Sequence, residues 1–415
     1  MAEIGLNVGN LGTSGAAITK VTNNLALANA AKVKWVRCDA AVNEMLIPGP
    51  SSTPDYTALE NFLTLSASYN FKVMLLLEHI CPTGISSWYN LAGGDYLSAS
   101  WPIWKRPPQP MWASLITRLN LIYAHIQSYW TTTLGQPLTS LVIQRGNERN
   151  LTGAGGLIEA TTKSRVISSS LGGTIDSDAT WATLHSLYPG NNYDSVRGVR
   201  EIDDNIVASS DFGDMDVADA SFEVELGASW FNRNTVLSTD DFYRECASVR
   251  SGTYHNATPF TDNHEYYTLN VGTGALPNSV MHEDQYAAEV CTMIMSRINY
   301  IRDSHSSFIL PRKRWIVSEL GFPWSWLLSS CRRQSHAQRG QYFAAITNAV
   351  RALPIEAVII YAARNTDDAL DNYFGLSETS GNWSPALIPF ANNNGASLST
   401  GVAPVTGASW IAEVT

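Results

Sequence analysis

The stretch "PDYTALENFLTLSASYNFKVMLLLEH", residues 54–79, contains the two patterns from which the fold of this chain is predicted. In residues 54–70, a Pro and an Asp typical of a helix start precede apolar residues at helical spacing. Residues 72–79, "KVMLLLEH", then form a nearly continuous apolar run, which is typical of a strand buried on both faces. A helix that leads into such a strand predicts a parallel sheet covered by helices.

The same alternation extends along most of the chain. Further strands are predicted at residues 3–10, 33–39, 138–148, 164–173, 262–269, 314–320 and 356–363. Further helices are predicted at residues 18–32, 111–130, 179–188, 283–304 and 336–353. Eight strands that alternate with helices favour the α/β fold class and a TIM (β/α)8 barrel over an open sheet.

The connection between predicted strands 5 and 6 is far longer than a usual loop. We interpret residues 190–258 as a large insertion between these strands, in a barrel that spans residues 1–390. The Asp-rich residues 200–220 lack the regular Asp spacing of a Ca²⁺ loop, so a solvated loop is expected there. Residues 391–415 are small and polar, which predicts a C-terminal tail through which the chain could assemble into a larger particle.

The composition of the chain argues against a nucleic-acid partner and against insertion into a membrane. Charged residues make up only 15% of the 415 residues, the formal net charge is -10, and Lys and Arg form no basic stripe. This distribution argues against a nucleic-acid partner. No apolar run approaches the ~18 residues of a membrane helix, so no membrane insertion is expected. The first residues, "MAEIGLNVGN", do not resemble a secretory signal, and extracellular, virion-associated and cytoplasmic locations all stay open.

The sequence contains no motif for a cofactor or a metal, and none is predicted. Its five cysteines are widely spaced and include no C-x-x-C pair, so neither a metal cluster nor a disulfide framework is indicated. Cys38 and Cys81 are expected to be small buried hydrophobes. The Gly-rich "LTGAGG" (151–156) matches neither a dinucleotide nor a phosphate-loop pattern, and the absence of H-x-H and H-E-x-x-H disfavours a metal-dependent hydrolase.

In a TIM barrel the catalytic side chains come from the carboxyl ends of the strands. The polar residues that end the predicted strands would therefore converge on one mouth; they are Asn7, Arg37, Asp39, Glu78, His79, Asn147, Glu148, His264, Glu265, Tyr266, Glu319, Tyr361 and Arg364. Glu148 and Glu319 end strands 4 and 7, which lie on opposite sides of an eight-stranded ring. Facing carboxylates suit glycoside hydrolysis, in which one protonates the leaving oxygen and the other attacks the anomeric carbon or activates water.

Several short motifs at these strand ends resemble clan A of the glycoside hydrolases, the retaining (β/α)8 families such as families 5 and 39. The motifs are "WVRCD" (35–39), "GNE" (146–148), "NHEYY" (263–267), "VSELGFPW" (317–324) and "YFGLSETSGNWSPAL" (373–387). Each motif is short, but their order along the chain and their placement at strand ends match those of the clan. The resemblance extends from residue 1 to about residue 390.

The resemblance implies a role for several residues of the mouth. Glu148 would be the acid/base and Glu319 the nucleophile of a retaining glycosidase. Asn147 would hydrogen-bond the sugar 2-hydroxyl, and Arg37 would hold the nucleophile ionised. Further candidates for binding substrate are His79, His264, Tyr266, Trp324 and Tyr361.

Two features depart from the clan pattern. Many members place a Trp on strand 8, whereas the run here is "IIYAARNTDD" (359–368), where Tyr361, or Trp324 and Trp326 after strand 7, would take its place. Arg145 and Arg149 flank the acid/base glutamate. These arginines would either lower the pKa of that glutamate and weaken it as an acid, or recognise an anionic sugar.

The predicted function is therefore a retaining glycosidase that hydrolyses O-glycosidic bonds of a poly- or oligosaccharide. Because a fold does not fix a function, a second hypothesis stays open. It is a catalytically inactive barrel that serves as a carbohydrate-binding or structural protein, for example one associated with a virion.

Overall fold

Eight parallel strands pair in chain order, and the last pairs with the first to close a barrel. The computed structural model describes residues 1–12, 15–41, 53–78, 121–145, 214–219, 260–266, 283–304, 314–321, 336–363, 376 and 387–398. The strands are β1 (Glu3–Leu11), β2 (Trp35–Ala41), β3 (Lys72–Glu78), β4 (Leu141–Arg145), β5 (Asp214–Asp219), β6 (Phe260–Tyr266), β7 (Arg314–Gly321) and β8 (Ala357–Tyr361).

The helices follow the strands and supply the outer layer of the barrel. Those described in full are α1 (Gly15–Ala30), α2 (Thr57–Ser68), α3 (Glu283–Ser304), α4 (His336–Val350) and α5 (Leu387–Asn393). Residues 121–128 are also helical and continue into a π-helical turn, Tyr129–Thr133, before β4. None of the helices in the described ranges has both the length and the apolar character needed to cross a membrane.

Apolar side chains lie on both sides of the barrel wall. On β2, Val36 and Cys38 belong to the large cluster between the strands and the helices. A second cluster fills the space inside the ring; it consists of Trp35, Met74, Val142, Ile316, Ala357 and Ile359. Burial on both faces explains why the strands appear as continuous apolar runs in the sequence.

Trp35 is the largest residue of this inner cluster and is fully buried. Its indole nitrogen donates to the Glu3 carboxylate at 2.7 Å, and Lys72 binds the same carboxylate oxygen at 2.7 Å. The neighbouring β1 position is Gly5, where a Cβ atom would lie 2.7 Å from the Cβ of Trp35. The same Cβ atom would lie even closer to Cδ1 of Ile359, so the absence of a side chain at Gly5 makes room for both Trp35 and Ile359 at the bottom of the barrel.

The predicted barrel is confirmed, but the predicted fifth strand is wrong. β5 is Asp214–Asp219, which pairs with β4 on one side and β6 on the other. It lies inside 190–258, the range interpreted as an insertion between strands 5 and 6. The predicted strand 164–173 and helix 179–188 lie outside the described residues. The sequence of β5, "DMDVAD", contains too few apolar residues to predict a buried strand, and pairing with both neighbours overrides that weak propensity.

The C-terminal helix α5 crosses residue 390, where the sequence predicts the barrel to end. Phe390 and Ala391 on this helix are fully buried. The Lys32 ammonium donates to the carbonyl of Gly395 at 2.8 Å, and the Leu398 amide donates to the side chain of Asn392 at 2.7 Å. Packing on the barrel thus continues to residue 398, and residues 399–415 lie outside the described ranges.

Two cysteines are described. Cys38 is buried as predicted, its thiol donates to the Gly9 carbonyl at 3.1 Å, and burial together with the Asp39 charge raises the pKa of the thiol well above its usual value. Cys291 is half-buried on α3, and desolvation raises the pKa of its thiol to about 11. Both thiols therefore carry little thiolate near neutral pH. Cys81 lies outside the described residues.

We expect Gly5→Ala to lower the free energy of unfolding by about 1–3 kcal/mol, because the new methyl group overlaps Trp35 inside the barrel. Urea denaturation measures the change. Gly15→Ala is the matched control, since nothing lies within 4 Å of a Cβ atom at Gly15. Equal stability of the two variants would contradict the close packing at Gly5.

We expect Cys291 to react with iodoacetamide at pH 8 on the order of 100-fold more slowly in the native protein than in urea, because its raised pKa leaves little thiolate. Cys38, which is fully buried, should stay unmodified until the chain unfolds. Peptide mass spectrometry after timed labelling gives both rates. Rapid labelling of Cys38 in the native protein would show that the barrel wall opens there.

Candidate active site

Above the Trp35 layer, the interior of the barrel changes from apolar to polar. Four polar side chains are buried there, on β1, β2, β4 and β7, with exposed fractions of 5% or less: Asn7 (5%), Arg37 (2%), Gln144 (0%) and Glu319 (4%). Gln144 and Glu319 lie toward the carboxyl ends of β4 and β7, the end at which TIM barrels place chemistry, and Asn7 and Arg37 lie near the middle of β1 and β2.

Arg37 and Glu319 form a buried ion pair at this end. The Nη1 atom of Arg37 donates to Oε1 of Glu319 at 2.6 Å. The two strands, β2 and β7, are separated around the ring by β1 and β8, so the pair spans the interior of the barrel. A guanidinium this close favours the ionised form of a carboxyl group. The contact brings the two predicted residues together, and the role of Arg37 in keeping Glu319 negatively charged stays a prediction.

A bulge in β7 determines the direction of the Glu319 side chain. Val317 pairs with Val358 and Leu320 with Ile360, so two residues of β7 stand opposite one residue of β8. Val317 and Leu320 both belong to the outer cluster. Strict alternation would send Glu319 outward with Val317, but the extra residue turns it inward, as bulges near functional sites commonly do.

Gln144 is the second partner of Arg37. The Nε atom of Arg37 donates to Oε1 of Gln144 at 2.6 Å. In register, Arg37 pairs with Met74 and Gln144 with Leu76, so the arginine side chain reaches past β3 to β4. Sequence analysis missed Gln144. The signal that could have found it is its position two residues after inward-facing Val142, which places a polar side chain at an interior position.

Asn7 stabilises an irregular point in β1 beside the pair. The register of β1 shifts between Asn7 and Gly9, and Gly9 has a positive φ of 100° that favours glycine. The Asn7 side-chain oxygen accepts from the Gly9 amide at 2.9 Å, and the backbone carbonyl of Asn7 accepts from the Ala363 amide at 2.9 Å. Asn7 therefore ties the end of β1 to the segment after β8.

Three other predicted site residues lie on described strands. His264 on β6 pairs in register with Glu319, and Tyr266 pairs with Gly321. Tyr361 ends β8, pairs with Gly321 from the other side, and is followed by a cis peptide bond to Ala362. All three positions thus lie on strands at or next to β7. The side chains of His264 and Tyr266 are not described.

The remaining residues predicted to be catalytic or to bind substrate lie outside the described ranges. They are His79, Asn147, Glu148 and Trp324. The acid/base and sugar-binding roles implied for them therefore stay predictions. Within the described part of the chain, no group of three His, Cys, Asp or Glu residues is placed to hold a metal ion.

Neither a protein-family model nor a curated protein matches the sequence. Solved structures do match the fold. A GH5_18 protein from Bifidobacterium longum subsp. longum, in complex with Manβ1-4GlcNAc, has a TM-score of 0.53 at 11% identity, over 95% of this chain and 78% of its own. A family 39 glycoside hydrolase from Bacteroides cellulosilyticus has a TM-score of 0.52 at 12% identity, over 94% of this chain and 63% of its own.

An endo-β-1,4-mannanase from Thermotoga petrophila has a TM-score of 0.50 at 12% identity, over 95% of this chain and 76% of its own. At these identities the likeness is one of fold. The chain is thus similar in fold to TIM-barrel glycoside hydrolases of families 5 and 39, as the sequence motifs indicate.

We expect Arg37→Met to lower the free energy of unfolding by about 3–5 kcal/mol, because it leaves the buried Glu319 carboxylate without its cation. Adding Glu319→Gln to this variant should recover part of the loss. The control is Lys72→Met, which breaks a half-exposed pair with Glu3 and should cost about 1 kcal/mol or less. Similar losses for the two single variants in urea denaturation would refute a buried, solvent-shielded pair.

Proposed function

We propose that the protein is a glycoside hydrolase that cleaves a poly- or oligosaccharide by a retaining double displacement. The single observation that carries the proposal is the buried Glu319 carboxylate, held at 2.6 Å by Arg37 near the carboxyl end of a barrel strand. The fold likeness to glycoside hydrolases of families 5 and 39 supports the same class of reaction.

The first displacement needs an ionised nucleophile. Arg37 supplies the positive charge that keeps Glu319 deprotonated, and burial leaves the pair little screened by solvent. Glu319 would attack the anomeric carbon and form a covalent glycosyl intermediate as the glycosidic bond breaks.

The second carboxyl group in the proposal is Glu148, which follows β4 in the sequence. β4 and β7 lie on opposite sides of the ring, which suits an acid facing a nucleophile across the mouth. Glu148 would protonate the leaving oxygen and then accept a proton from the water that hydrolyses the intermediate. Its placement and the carboxylate separation belong to the proposal.

The proposed sugar contacts come from the strand ends around these two carboxylates. Asn147 would hydrogen-bond the 2-hydroxyl group of the sugar in the subsite that is cleaved. The other proposed contacts are His79, His264, Tyr266, Trp324 and Tyr361. Tyr361, which ends β8 and is half-buried, would provide the aromatic surface that a Trp provides in many clan members. The partner we propose is therefore a carbohydrate.

We expect wild-type protein to release sugar from at least one member of a panel of polysaccharides and aryl glycosides. Glu319→Ala should lower kcat at least about a thousand-fold, since no other group supplies the nucleophile. Azide should restore turnover of an aryl glycoside by this variant and give a glycosyl azide of inverted configuration, which NMR identifies.

The matched control is Glu356→Gln, which removes a partly buried carboxylate just before β8, at the opposite end of the barrel, and should leave kcat unchanged. Glu148→Gln should lose activity on natural glycans and keep more of it on substrates with a good leaving group. Undiminished hydrolysis by Glu319→Ala would overturn the mechanism. A wild type that binds glycans but cleaves none would favour the inactive-barrel alternative.

A further inference from the structure

Gln144 and Glu319 are held by the same guanidinium group. Arg37 uses Nε to reach Gln144 on β4 and Nη1 to reach Glu319 on β7, each at 2.6 Å. All three side chains are at least 94% buried, so water competes little with these bonds. Gln144 and Glu319 are thus two of the groups that hold the guanidinium plane in place.

The chemistry of arginine fixes the orientation of the Gln144 amide. Arginine offers only N–H donors, so the Gln144 atom that faces Nε must be the carbonyl oxygen. The amide nitrogen then points away from the arginine. This Nε2 atom is buried and has no hydrogen-bond partner among the described residues. Among the described residues this donor stays unused, so the bond to Arg37 is the one hydrogen bond of the Gln144 side chain in that part of the chain.

A carboxylate at position 144 would accept the same bond without the unused donor. It would, however, add a second negative charge to the guanidinium that serves Glu319, and like charges that share a site disfavour ionisation of one of them. An apolar side chain would add no charge but would leave Nε of Arg37 without this acceptor. The amide is the side chain of this size that holds Arg37 and stays neutral.

We propose that Gln144 is a positioning residue that orients Arg37 through a neutral acceptor and so keeps Glu319 ionised for attack. The inference rests on the proposed function, in which Glu319 is the nucleophile. Gln144 acts through Arg37 and touches no substrate. The inference depends on two hydrogen bonds from one guanidinium group. One reaches β4, on one side of β2 around the ring, and the other reaches β7, on the other side.

The test compares Gln144→Glu and Gln144→Met with wild type in the pH dependence of kcat/KM on an aryl glycoside. Gln144→Glu should move the acidic limb to higher pH by about one unit, because a raised pKa of the nucleophile requires a higher pH for ionisation. KM should change less than twofold. Gln144→Met should lower kcat about tenfold, since Arg37 loses an anchor.

Gln136→Glu is the matched control, because Gln136 lies in the loop before β4, outside the barrel interior, and its amide nitrogen donates only to the Leu134 carbonyl at 3.4 Å within the described contacts. It should leave the acidic limb in place. Circular dichroism and urea denaturation establish that each variant is folded. If Gln144→Glu is folded and active with an unshifted acidic limb, the positioning role is overturned.

A second readout does not depend on turnover. In protein labelled with ¹⁵N-arginine, the Nε–H resonance of Arg37, assigned by its loss in Arg37→Lys, should exchange slowly with water. It should persist in Glu319→Gln and exchange at least tenfold faster in Gln144→Met. If the Nε–H resonance behaves in this way but the wild type cleaves no glycan, the proposed function is wrong and the Arg37–Gln144 contact is still supported. An unchanged resonance in Gln144→Met would overturn the inference whatever the activity.

Discussion

The structure of the mouth depends on the buried hydrogen-bonded ion pair between Arg37 and Glu319. Two charges removed from water are unfavourable unless each finds a partner, so these two side chains stabilise one another only where they come into contact. That contact requires the closed ring, because the pairing of β1 with β8 brings β7 to a position that Arg37 on β2 can reach across the interior. Closure of the barrel and ionisation of the candidate nucleophile are therefore linked.

Along the axis of the barrel, an apolar layer that stabilises the fold lies below the polar residues of the candidate site. At the bottom, Trp35 and its apolar neighbours fill the ring, Glu3 accepts from the indole nitrogen, and Lys72 lies over the indole ring. Polar groups begin only above this layer, where Arg37 and Gln144 are both buried. The apolar layer keeps water away from one side of the ion pair, which strengthens its electrostatic interaction.

Most of the barrel could be predicted from sequence because its strands are buried on both faces and appear as continuous apolar runs. Strand β5 could not, because three of the six residues of Asp214–Asp219 are acidic and the strand gains its hydrogen bonds from β4 and β6. A related effect is seen at the C-terminal end of the described residues. Residues 391–398 are small and polar, yet Ala391 is fully buried against the barrel.

The sequence by itself determined that Arg37 and Glu319 lie near the ends of apolar strands and therefore at one end of a parallel barrel. Only the tertiary structure decided that Glu319 points inward, because the bulge in β7 arises from pairing with β6 and β8. The tertiary structure also decided that Gln144 accepts a hydrogen bond from Arg37. In the sequence, Arg37 is 107 residues from Gln144 and 282 residues from Glu319. Contacts over such separations are set by how the ring closes, which no local pattern encodes.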